Sequence, residues 1–282
     1  VALIAGRGQA ASPVVRTAAT PRLVGVDAAH QRGRDRVVFR FSGGIPSRRT
    51  VRYVRQLIAD PSGRRLPIAG RAILKVSFFA AAAHTAGGRV TAPGRVAFAL
   101  PNAMTTVRSG DFESVLSYGI GLAKRTSFDV FTLSRPDRVV IDISARFRTV
   151  PRRLYLFNPR RFAANTQPFV TAVPRPVLPA TPATALMDRL FAGPTPREKA
   201  AGLVLLSSRA TGFAGLSVRD QVARVRLTGG CASGGSTSSI ADEIMPTLKQ
   251  LATVRYVKIY DPAGRTERPT GRSDSIPFCL EP

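Results

Sequence analysis

Two cysteines, two histidines and a few acidic pairs are the residues of this 282-residue chain whose types could do chemistry. Cys231 lies in GGCASGGSTSS and Cys279 in the closing PFCLEP, at the two ends of one run of elements. Two thiols with two histidines in the whole chain cannot furnish a four-ligand zinc site. The pair therefore reads as a disulfide, which implies an oxidising compartment outside the cytoplasm. The alternative is two free thiols buried as small hydrophobes. In the loop-entropy account a bond closing a loop of this length contributes roughly 2–4 kcal/mol.

The other constellations are weaker. His30 and His84 each lack an acid or cysteine at metal-ligand spacing, and His84, after an alanine run in FFAAAAHTAGG, reads as a turn or sheet-edge residue. No GxSxG nucleophile elbow occurs. Acid pairs for glycosidase chemistry are Asp111 with Glu113, in GDFESV, and Asp242 with Glu243; turn and helix-start roles suffice for both. Residues 230–237 read G-x-x-x-x-G-S-T, a phosphate loop whose lysine is replaced by Ser236, so nucleotide hydrolysis is not expected and a disulfide-stabilised helix entry is. No cofactor, metal site or catalytic residue is expected.

Charge is the other strong signal. The net charge is +25, and only five of the 42 basic residues are lysine. Such a field draws the protein toward polyanions: nucleic acid, anionic lipid, or the phosphate and carboxylate polymers of a bacterial wall. Arginines alternate with aromatic and apolar residues in Arg52-Tyr53-Val54-Arg55 and Arg255-Tyr256-Val257-Lys258, which makes Arg52, Arg55, Arg255 and Lys258 the candidate polyanion contacts. The same alternation also arises when a strand has one core face and one solvated face.

The elements that must position these residues fall into two groups. Residues 1–21 read as a leader or signal-peptide remnant, with small Gly8 and Ala10 ahead of Ala11. Residues 22–143 read as strands separated by turn residues (LVGVD, RVVFRF, TVRYVRQLI, AILKVSFF, VLSYGIGL, FDVFTL, RVVIDI), with alternation clear in Val38–Phe41 and Val51–Arg55, and predict a mainly β domain, a sandwich or barrel. Asp35–Phe41 is echoed by Asp137–Ile143, which makes these two segments candidate sheet neighbours. Residues 144–153 read as a linker with four arginines. Residues 154–282 predict an α+β domain in the order β-β-α-β-β-α-β. Its helices are Ala183–Ala192, stopped by Gly193-Pro194, and about Ser239–Leu251, capped by Ser238 or Ser239 and kinked or divided at Pro246. No apolar run reaches the roughly 18 residues of a membrane span.

These segments resemble two known families. LYLFNP, ALMDRLFAGPTPREKAAGL, LSVRDQVARVRL and IADEIMPTLKQLATVRYVKIYDPAG are similar to the GerMN domain of sporulation and germination proteins. DRVVFRFSGGIP, FFAAAAH, GDFESVLSYGIGL and FDVFTLSRPDRVVIDI resemble the actinobacterial AMIN-like domain, a β-sandwich module. The resemblance implies a mainly β plus α+β protein and no active-site motif. It further implies an extracytoplasmic, secreted or envelope-associated chain, peripheral to the membrane or anchored upstream of Val1. Its expected partners are a wall polymer, peptidoglycan or teichoic acid, and an envelope protein, with no nucleic acid. The competing expectation is an exported hydrolase acting on peptidoglycan.

Overall fold

The computed structural model describes residues 20–282, so the leader expected over residues 1–21 lies almost wholly outside the described residues. The first half is a β-sandwich. One sheet holds β1 (Arg22–Gln31), β2 (Arg34–Ser42), β10 (Phe128–Leu133) and β11 (Arg138–Ser144) in the order β1-β2-β11-β10. The other holds β3 (Arg48–Val54), β6 (Ala72–Phe79), β7 (Arg95–Ala97), β8 (Ala103–Phe112) and β9 (Val115–Leu122) in the order β3-β6-β9-β8-β7. The two-residue strands β4 (Leu57–Ile58) and β5 (Arg65–Leu66) pair outside both.

Period-2 alternation turns one face of each sheet inward. Val37, Phe39 and Phe41 meet Leu74, Val76, Phe78, Tyr118 and Ile120 in one continuous core. Phe39 packs edge-on against Phe78 and Tyr118, with ring centroids 5.1 and 5.6 Å apart. The echoed segments are neighbours: β2 and β11 pair antiparallel with Val38 opposite Val140 and Arg36 opposite Asp142. Arg36 binds the Asp142 carboxylate through two hydrogen bonds of 2.7 Å.

Leu57 to Gly70 crosses the outer face of β9, and two glycines make room for it. A Cβ on Gly121 would lie 2.0 Å from the Ala69 carbonyl oxygen, and one on Gly119 would lie 2.7 Å from Leu57. Ile120 between them points into the core, so the sequence Gly-Ile-Gly packs both faces of one strand.

The second half begins with the hairpin of β12 (Val150–Phe157) and β13 (Val170–Val177), separated by the short helix α1 (Pro159–Ala163). Helix α2 (Pro182–Ala192) and the turn of helix α3 (Pro196–Ala200) lead to β14 (Gly212–Arg219) and β15 (Val222–Thr228). Helix α4 (Ala241–Lys249) then crosses over to β16 (Tyr256–Tyr260), which lies parallel to β15. The core gathers Leu154, Leu156, Leu186, Leu190, Val225, Ile244 and Ile259 between helices and strands. Helix α4 runs unbroken through Pro246 rather than dividing there. Ser239 serves its start, its Oγ accepting from the Ala241 amide while its own amide donates to Asp242. Ser144 still belongs to β11 and β12 starts at Val150, so only residues 145–149 lie between the sheets.

The halves are packed together. Ala69, Met104 and Ala123 of the sandwich join the core of the second half beside Ala185 and Leu186. The buried Arg189 guanidinium reaches across from α2 to donate to the Pro101 carbonyl at 2.8 Å.

Candidate functional site

A cleft of about 820 Å³ runs along this junction. The segment that crosses β9 supplies Arg65 and is followed by Arg71, β3 supplies Tyr53 with Arg55 just past its end, and the β9–β10 connection supplies Arg125. The opposite wall is Asp188 from α2 and Phe213 from β14. Two of the arginines are held against rings: Arg125 sits 4.4 Å from the Tyr53 ring centre and Arg71 5.5 Å from that of Phe213. Tyr53 is itself fixed, its hydroxyl donating to the Thr126 carbonyl at 2.6 Å and accepting from the Thr126 amide at 3.1 Å.

One acid tempers this field. Asp188 accepts from Arg71 Nε at 2.8 Å, yet burial pushes its carboxyl up to about 6 against the opposing pull of that arginine. Arg55, Arg65 and Arg125 form no ion pair among the described residues. The cleft therefore offers three guanidinium groups free of ion pairs, that of Arg125 lying over the Tyr53 ring, a chemistry suited to phosphate or carboxylate groups.

The candidate residues from the sequence are dispersed. Arg55 lines the cleft. Arg52 is exposed on the edge strand β3, and Arg255 is exposed with its guanidinium 5.6 Å from the Tyr256 ring. Lys258 requires a correction: it is fully buried, its Nζ donating to the carbonyls of Arg268 and Thr270 and to Ser273 Oγ. The loop 266–275 covers the face of β16 that alternation assigns to solvent, and burial holds the Lys258 ammonium below its ordinary value. Lys258 is a structural clamp for that loop.

Both histidines have carboxylate partners that linear spacing hid. His30 Nδ1 lies 2.7 Å from Asp35, and His84 Nδ1 lies 2.8 Å from Asp111. Asp35 is fully buried and also accepts from the amides of Asn102 and Ala103, which ties β2 to the start of β8. Asp111 accepts from the Ala83 amide, while Glu113 sits exposed in the left-handed β8–β9 turn. Glu243 is fully buried and accepts from the amides of Phe157 and Leu206; burial outweighs those bonds and pushes its carboxyl up to about 8. The acid pairs are thus fixed mostly in structural bonds.

Cys231 and Cys279 form a disulfide with Cα atoms 5.7 Å apart. Ser233 reinforces it, its amide donating to the Cys279 carbonyl at 2.7 Å and its hydroxyl to that of Glu281. The amides that a phosphate loop would present are used internally: Gly235 donates to Ser233 Oγ, Ser238 to Ser236 Oγ and Ile240 to Ser208 Oγ. The loop anchors the C-terminal tail.

Residues 21–145 match the family model of the AMIN-like domain, and residues 153–260 match that of the family described as sporulation and spore germination. The chain carries an AMIN-like domain followed by a GerMN domain. Neither is a known catalytic family, and together they point to an envelope or sporulation-related role. No curated protein and no solved structure matches the chain. AMIN-like domains are envelope-associated and the disulfide points to an extracytoplasmic protein; no helix among the described residues is long and apolar enough to cross a membrane.

Proposed function

We propose that this is a non-enzymatic protein of the cell envelope that holds an anionic wall polymer, peptidoglycan or teichoic acid, through its AMIN-like domain and engages an envelope protein through its GerMN domain. Its setting is sporulation, germination or envelope morphogenesis. The observation that carries the reading is the junction cleft, where Arg55, Arg65, Arg71 and Arg125 all come from the AMIN-like domain. A polymer of repeated phosphate or carboxylate groups meets several guanidinium groups at once, and multivalency makes weak contacts additive. Titrating the protein with purified teichoic acid, followed by calorimetry, tests this; saturable binding is expected, weakened by Arg65→Ala with Arg125→Ala.

The rival reading, an exported peptidoglycan hydrolase, draws on the His84–Asp111 pair beside the exposed Glu113. Release of soluble fragments from labelled peptidoglycan, abolished by Glu113→Gln, would replace the binding reading with it.

A further inference from the structure

A second concavity lies within the GerMN domain, between α1, the following loop and the start of α4. It holds about 790 Å³, within the range of roughly 300–1,000 Å³ usual for small-ligand sites. Its lining runs against the character of the chain. Among the described residues no lysine or arginine lines it, and its one charged side chain is Asp242.

The floor is aromatic. Phe162 leaves 38% of its surface exposed, and it is held in place by Phe169, edge-on at 5.2 Å, and by Phe157 at 5.5 Å. Tyr155 extends the same surface. Around it stand amide and hydroxyl groups: Asn165 and Gln167 on one rim, Thr237 on the other. Among the described residues none of these three side chains makes a hydrogen bond. The loop wall is built rather than loose, because Arg161 turns its guanidinium away from a ligand role and donates to the carbonyls of Thr166 and Gln167. Asn158 caps α1 and donates to Thr171, which fixes the base of that loop.

We propose that this groove binds an uncharged oligosaccharide, with sugar C–H faces on Phe162 and Tyr155 and hydroxyl or acetamido groups paired with Asn165, Gln167, Thr237 and Asp242. The absence of cations from the lining disfavours the polyanions that suit the junction cleft, and the lone carboxylate is an acceptor for sugar hydroxyls. The site is separate from the cleft, so either can fail without the other.

The test is calorimetry of the full chain with a chito-oligosaccharide, an uncharged chain of N-acetylglucosamine. Saturable binding is expected, unchanged between about 0.05 and 0.5 M salt because a neutral ligand releases no counterions. Phe162→Ala and Gln167→Ala are each expected to weaken it about tenfold or more, whereas Arg65→Ala leaves it unaltered. Gln167 is exposed, so its variant reads binding with the fold intact. No saturable binding by natively folded protein, wild-type affinity retained in both groove variants, binding suppressed by salt, or preference for oligoproline over the sugar would each overturn the proposal.

Discussion

Glu243 shows how one buried side chain sets a pH response. In the unfolded chain its carboxyl titrates near its ordinary value of 4.5, and in the folded protein near 8. Between those values the folded state holds the extra proton, so stability is fullest below the unfolded value and declines as pH rises toward 8. Asp188 contributes with the same sign between 3.8 and about 6. Glu243→Gln retains an acceptor for the Phe157 and Leu206 amides without a charge to bury. Melting temperature measured from about pH 5 to 8 should therefore fall in the wild type and flatten in Glu243→Gln; an equal decline in both would remove Glu243 as the cause. This role was not legible in the sequence, where Asp242 and Glu243 read alike as helix-start acids. Position on the helix separates them, Asp242 facing solvent and Glu243 facing β12.

At the level of elements, local pattern carried most of the fold. Apolar strand-like runs between turn residues located seven strands of the sandwich, and the echo of Asp35–Phe41 in Asp137–Ile143 is a true pairing of β2 with β11. Strand β8 escaped because its buried positions include the polar Thr105, Thr106 and Ser109, so AMTTVRSGDF shows neither an apolar run nor an apolar–polar alternation. Lys258 misled for the converse reason: its strand alternates, but the loop 266–275 covers the polar face. The junction cleft was invisible because its arginines lie far apart in sequence and are brought together by the passage over Gly119 and Gly121.

The disulfide belongs to this scale as well. It ties the loop before α4 to the tail that follows β16, across a sequence separation of 48. Replacing both cysteines by serine is expected to cost roughly 2–4 kcal/mol in urea unfolding. Stability unchanged within error would mean the link constrains nothing that unfolds.

For the whole molecule, packing of α2 on the sandwich predicts that the two domains unfold together. Arg189 is central to this junction: it is buried, its guanidinium is pulled down to about 9 by burial, and it bonds the opposite domain at Pro101. Arg189→Ala should lower the melting temperature and split a single calorimetric transition into two. A single, unshifted transition would show that the domains are coupled elsewhere. The joint also matters for binding, because the arginines stand on one domain and Phe213 and Asp188 close the cleft from the other.

The most direct measurement is cosedimentation with bacterial wall sacculi carrying teichoic acid, across a salt series, for wild type, for Arg65→Ala with Arg125→Ala, and for Arg219→Ala with Arg272→Ala. The last pair removes the same charge from exposed positions outside the cleft. Wild type and the control pair are expected to bind alike, while the cleft pair binds about tenfold or more weakly with a shallower salt dependence. Equal loss in both double variants, or none in either, would contradict a defined polymer-binding cleft.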